Sequence, residues 1–186
     1  MILIVGLGNP GKEYAFTRHN IGFEIINSLH NNFNFPVFRN KFDGLYSKKT
    51  IFGENVVIFK PQTFMNLSGS PIKKIRNYYK LDNSKNLILI HDDLDMDFLK
   101  IRVKSRGGHG GHNGVKDVIK FNEQDFYRIK IGIKNHFFLS KEIKPEFFVL
   151  DKFDTDERKK IEEFKKLLNE NFEYIVKKKF SLLNIN

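Results

Sequence analysis

The chain has 186 residues, with 32 Lys plus Arg against 22 Asp plus Glu, a formal charge of +10 and no cysteine. That length can bury a substantial core without staples. The missing cysteine excludes disulfides, thiolate metal sites and a cysteine nucleophile.

The first six residues are apolar from the start, without a basic leader or a small-residue cleavage site, so they read as a buried strand and not a signal peptide. No apolar run approaches the roughly 18 residues of a membrane span, and the expectation is a cytoplasmic protein with no membrane association. A Gly/Asn/Pro loop follows over residues 7–18. Residues 21–33 carry Phe23, Ile26, Leu29 and Phe33 at helical spacing. Residues 45–52 and 55–59 are β-rich around Gly53, a hairpin pattern. Ser70-Pro71 predicts a helix start, with residues 72–79 continuing it.

Residues 87–90 (LILI) fit a central strand covered on both faces. Residues 99–104 predict another strand. The Gly/His loop 107–114 opens into a helix over 115–121, and 127–133 is a strand. Asp154 and Glu157 form a capping-box pattern before a last helix whose Ile161, Phe164, Leu168, Phe172 and Ile175 share one face. Nothing reads as a linker or repeat. The expected fold is α/β, one domain over residues 1–186, with a mixed twisted sheet and helices packed on both faces.

Three loops carry candidate chemistry. In the first, Gly6-Leu7-Gly8-Asn9-Pro10-Gly11 matches G-x-G-x-x-G after a strand. That fingerprint needs a helix at its third glycine and an acidic residue ending a second strand. Here the loop runs on to Arg18 and a helix comes next, so no nucleotide cofactor is expected. The loop ends in Thr17-Arg18-His19-Asn20. A lone histidine is commonly a surface or capping residue. His91-Asp92-Asp93-Leu94-Asp95, leaving the end of an apolar strand, offers a carboxylate that could orient it as a general base. The plain reading of the three aspartates is a solvated acidic turn, expected for at least two of them.

In the second loop, Asn66 lies between Met65 and Leu67, where an amide needs a fixed partner. A held carboxamide could donate to an oxyanion or a substrate carbonyl; otherwise Asn66 stabilises its own turn. The third, Gly107–Gly114, offers bare backbone at a helix start, suited to an anion or a close-lying substrate. His109 and His112, with His19 and Asp92, also admit a metal reading, although the spacing is not a zinc signature. Lys100, Arg102, Lys104 and Arg106 alternate on one strand face, and Arg128 and Lys130 repeat the pattern. Such a face is either ordinary edge protection or a phosphate clamp.

Together, GLGNPGKEYAFTRHNIG (6–22), KPQTFMNLSG (60–69), HDDLD (91–95) and GGHNG (110–114) resemble the bacterial peptidyl-tRNA hydrolase family, in order and in register. FYRIKIGI (126–133) and residues 147–153 extend the likeness more loosely. The resemblance implies a monomer without cofactor or metal, acting on the ester between a peptide and the 3′ ribose of tRNA. It implies His19 as the base that activates water, Asp92 as the carboxylate that orients it, and Asn9, Asn66 and Asn113 as amides holding substrate and water, with Asn9 at the oxyanion. It places Tyr14, Met65 and His112 along the peptide and 3′-adenosine cleft, and Lys104 with Lys130 at the 5′ phosphate. Lys130 stands where the family usually has Arg, which exchanges a forked contact for a point charge. Lys134-Asn135-His136, Asp97-Phe98-Leu99 and Asp151 also depart from the family pattern. Two rival readings remain: a metal-dependent hydrolase, and a binding protein without turnover.

Overall fold

The computed structural model describes residues 1–140 and 143–183. Seven strands form one sheet: β1 (Ile2–Gly6), β2 (Arg39–Lys41), β3 (Gly44–Ile51), β4 (Glu54–Pro61), β5 (Leu87–Asp97), β6 (Ile101–Lys104) and β7 (Tyr127–Lys134). Their order is β2-β3-β4-β1-β5-β7-β6. The inner pairs β4/β1, β1/β5 and β5/β7 are parallel, and the pairs toward both edges are antiparallel. The sheet is therefore mixed, as expected.

Strand alternation sends two sets of side chains to opposite faces. Ile2, Ile4, Val56, Ile58, Ile88, Ile90, Ile129 and Ile131 form one core with α1 (Ile21–Asn32), α6 (Thr155–Glu170) and α7 (Phe172–Val176). Leu3, Val5, Val57, Phe59, Leu87 and Leu89 form the other, beneath α2 (Gly69–Tyr78) and α3 (Asn113–Asn122). Two short helices, α4 (His136–Ser140) and α5 (Pro145–Phe148), lie between β7 and α6. The expected domain spans 1–186, of which residues 141–142 and 184–186 lie outside the described residues. Among the described residues no helix is long and apolar enough to cross a membrane.

The hairpin forms as predicted, turning at Phe52 and Gly53, whose φ values of 53° and 74° match the right-handed twist of the strands. Both halves of the Asp154/Glu157 capping box are made. The helix after the second loop begins earlier than Ser70: Gly69 opens it, and the Ser68 hydroxyl donates to Met65 O instead of capping. Its end is satisfied from outside, because Asp117 of α3 accepts the Gly69 N–H at 2.7 Å. That partner is 48 residues away and invisible to local pattern.

β1 and α1 pack at van der Waals limits. A Cβ on Gly6 would lie 2.2 Å from Gly22 O, and one on Gly22 would lie 2.5 Å from Leu7 O. The first glycine of the G-x-G-x-x-G motif therefore admits the helix that carries the His19 loop, and no dinucleotide is needed to explain it.

Candidate active site

The parallel strands β1 and β5 end together, and three loops meet over their ends. β5 continues beyond its apolar run to Asp97, so His91, Asp92 and Asp93 lie on the strand itself. Asp92 shares the parity of Ile88 and Ile90 and faces the α1 side; His91 faces the α2/α3 side. Asp92 is 2% exposed and Asp93 is 9% exposed. The expectation of a solvated acidic turn for at least two of the three aspartates is thus corrected: only Asp95 is exposed, and it too lies on β5.

His19 sits in a 3-10 turn just before α1. Its Nδ1 lies 2.9 and 2.8 Å from the two oxygens of Asp92, a contact across 73 residues of chain. His112 approaches the same carboxylate from the other side, Nε2 to Oδ1 at 2.9 Å. Gly114 N–H and Val115 N–H both donate to His112 Nδ1, at 3.1 and 3.3 Å. His112 is therefore the N-cap of α3 and carries its hydrogen on Nε2, donating to Asp92. With Asp92 accepting from both rings, His19 carries its hydrogen on Nδ1 and leaves Nε2 with a lone pair.

The electrostatics follow from this pairing. Burial opposes ionisation of Asp92, but His19 and His112 outweigh it and hold the carboxyl well below 3.8. Burial likewise opposes the His19 imidazolium, while the charge and hydrogen bond of Asp92 raise His19 above its ordinary 6.5. A raised basicity strengthens His19 as a proton acceptor near neutral pH.

Asn9 is positioned by both its ends. Its backbone exchanges hydrogen bonds with the Asn20 side chain at 2.8 and 2.9 Å, and its Oδ1 accepts from Met65 N–H at 2.7 Å. The Nδ2 hydrogens are left as the donors of a fixed amide. Met65 is buried, and its sulfur would lie 2.5 Å from a Cβ on Gly114, with Leu7 at 3.0 Å and His112 at 3.1 Å. Gly114 is thus where all three loops touch. The cleft, about 430 Å³, is lined by His19, Asp92, His112, Asn113 and Lys130, among others.

Of Tyr14, Asn66 and Asn113, it is Asn113 that lines the cleft. Tyr14 is half-buried, its ring edge-on to Phe64 at 6.2 Å. Asn113 is exposed at the first turn of α3. Asn66 is also exposed, and among the described residues it takes no hydrogen-bond partner. The fixed partner expected for it is not there; the chain turns outward between Met65 and Leu67.

Register settles the basic strands. Arg102 pairs with Lys130, Lys104 with Arg128, and Lys130 with His91, so all share one face. Only part of that face is available to an anion. Arg128 is 2% exposed, donating to Gly108 O and Gln124 O and stacking on Phe126, so it braces the glycine loop. Lys130 is ion-paired with Asp93. Lys104 is exposed and lines a second recess with His91, Lys130 and Gly107–Gly110. Arg106 lies beyond β6 and pairs with Asp125.

Of the four residues in the metal reading, His19, Asp92 and His112 come together, with one ligand-type atom each within 4.8 Å. His109 stands apart, exposed, its Nδ1 accepting from Gly111 N–H. The N···O separations of 2.8–2.9 Å match shared hydrogens; ligands on a tetrahedral ion with bonds of about 2.0 Å stand about 3.3 Å apart.

His91 was not singled out from sequence. Its Nδ1–H donates to Asp92 O at 2.7 Å, and its Nε2 is buried without a partner. Burial and the neighbouring His112 push its pKa from 6.5 down to about 3. A histidine neutral in the fold but titrating at 6.5 when unfolded takes up a proton on unfolding, so stability falls as pH drops from 6.5 toward 3. At about 1.4 kcal/mol per pH unit the loss is on the order of 5 kcal/mol. His19 acts in the opposite sense: its raised value favours the fold at low pH and loses that contribution as pH rises through it. The His91 effect is isolated by H91N, which keeps a donor for Asp92 O. Thermal melts between pH 6.5 and 4 are expected to fall steeply for the wild type and much less for H91N; equal slopes refute the assignment.

An imidazole with an enforced tautomer and an open lone pair at the cleft can accept a proton. A single-domain α/β fold with a cleft of this kind at its strand ends suits a hydrolytic enzyme. Comparison with known proteins narrows the class. The family model described as peptidyl-tRNA hydrolase matches residues 3–184. A peptidyl-tRNA hydrolase of Fusobacterium nucleatum subsp. nucleatum is 46% identical over 169 residues, 91% of this chain and 86% of the relative. One from Clostridium acetobutylicum is 42% identical over 177 residues, 95% and 91%. The crystal structure of peptidyl-tRNA hydrolase from Acinetobacter baumannii superposes with a TM-score of 0.87 at 32% identity, covering 97% of this chain and 91% of that one. This chain belongs to the peptidyl-tRNA hydrolase family.

Proposed function

We propose that this protein hydrolyses the ester joining a peptide to the 3′ ribose of tRNA, acting as a single-domain monomer in the cytoplasm. The observation that carries the reading is the His19–Asp92 pair at the mouth of the cleft, with His19 Nε2 left open. His19 takes a proton from water as the oxygen attacks the ester carbonyl. The Asn9 amide, whose oxygen is occupied by Met65 N–H, donates to the developing oxyanion. Protonated His19 then returns a proton to the departing ribose oxygen. Asn113 and Asn66 contact the peptide backbone, and Tyr14, Met65 and His112 line the cleft for the peptide and terminal adenosine.

Lys104, with Lys130, takes the 5′ phosphate beside the acceptor end. Because Lys130 is already paired with Asp93, exposed Lys104 carries most of the attraction. K104A is expected to raise KM for peptidyl-tRNA about fivefold with kcat little changed, and to flatten its salt dependence. An unchanged KM removes Lys104 from the contact.

The test is turnover of a purified N-blocked aminoacyl-tRNA in the presence of a strong chelator. Release of free tRNA supports the proposal. Retention of the ester by folded protein leaves binding without turnover, and activity restored only by Zn²⁺ favours the metal reading.

A further inference from the structure

Arg18, the residue before the base, is held more firmly than its surface-loop sequence context suggests. Its guanidinium forks onto Glu157, Nη1 to Oε1 and Nη2 to Oε2, both at 2.8 Å, with the two side chains 6% and 9% exposed. The same plane lies over Phe148 at 4.4 Å and Phe153 at 5.0 Å. Glu157 is itself fixed, accepting from Asp154 N–H in the capping box and from Asn135 Nδ2. Asn135 is one of the departures from the family pattern, and its Oδ1 also accepts from Phe138 N–H in α4.

The backbone around Arg18 is laced to one strap. Thr17 bridges Lys152, Arg18 N–H donates to Asp151 O at 3.0 Å, and His19 N–H donates to Val149 O at 2.8 Å. Val149 of that strap also lines the cleft, beside Pro145 and Glu146 of α5. A buried ion pair is a poor device for stability alone, since apolar residues of similar volume serve as well or better. What a planar fork supplies is orientation.

We propose that Arg18, clamped by Glu157 between Phe148 and Phe153, is a positioning residue: it fixes the 17–19 turn against the 149–152 strap and so aims His19 at Asp92 and at the cleft. The inference rests on the reading of His19 as base, and its test has a readout that needs no turnover.

R18K keeps the charge and loses both the fork and the planar stacking. With activity normalised to folded protein, kcat is expected to fall at least tenfold while KM stays within about twofold. In the substrate-free protein, the His19 ring titration followed by NMR is expected to move down toward 6.5, as contact with Asp92 loosens. E157Q, which keeps the shape and the capping bond, carries the same two readouts if R18K does not fold. A purely structural pair would lower the melting temperature but leave kcat per folded molecule and the His19 titration unmoved, and that result overturns the proposal. Should the wild type lack esterase activity while R18K still shifts the titration, the positioning role stands and the assigned reaction fails.

Discussion

H19A is expected to lower kcat on peptidyl-tRNA about 10³-fold, the usual worth of a positioned general base. The fold and the binding of tRNA should survive. Loss of the His19 ring leaves Asp92 still bonded to His112 Nε2–H, so the buried carboxylate keeps one donor. The substrate contacts assigned to Lys104 and Asn113 come from β6 and α3 and do not depend on the ring. Activity that persists falls to the Asn9 amide and to orientation within the cleft. The check is single-turnover kinetics beside a tRNA binding isotherm. A variant that retains more than about a tenth of wild-type kcat is incompatible with His19 as base; one that loses binding in proportion points to misfolding.

D92N should be nearly as damaging, and the reason is a tautomer. Gly114 and Val115 N–H groups fix the hydrogen of His112 on Nε2, so His112 must donate to the one acceptor an amide offers. The Asn NH₂ then faces His19 Nδ1, which can only accept. The His19 hydrogen moves to Nε2, and the lone pair that should take a proton from water is lost. A loss of about 10²–10⁴-fold in kcat is expected, with KM little altered. His19 also loses the carboxylate charge that raises it, so residual activity should show its acid limb lower than in the wild type. H112F/D92N removes the competing donor and lets the amide rotate; partial recovery over D92N would identify the tautomer, and none would assign the loss to charge alone.

Much of this was legible in the sequence because it is local or periodic. The apolar runs of β1 and β5, the Phe52-Gly53 turn and the Asp154/Glu157 box each follow from a few neighbouring residues. The four motifs gave the family, and of the candidates they supplied His19, Asp92 and His112 meet at one cleft. What pattern could not show were contacts closed by the fold. The Gly69 cap comes from Asp117, and the Arg18 partner lies 139 residues away. Arg128 alternates as a clamp residue would, yet the glycine loop folds over it and uses its donors. His112 as cap and second donor to Asp92 was hidden because histidine at an N-cap has no strong local signature. Asn66 misled in the other direction: apolar neighbours implied an enclosed amide, and the chain turned it outward.

His19, raised in basicity by Asp92, is proposed to remove the proton from water. The pH dependence of kcat/KM over about pH 5 to 9 tests it most directly. The rate should climb through a single acid limb centred above 6.5, matching the His19 titration seen by NMR. A flat profile, or a limb that does not track His19, would contradict it.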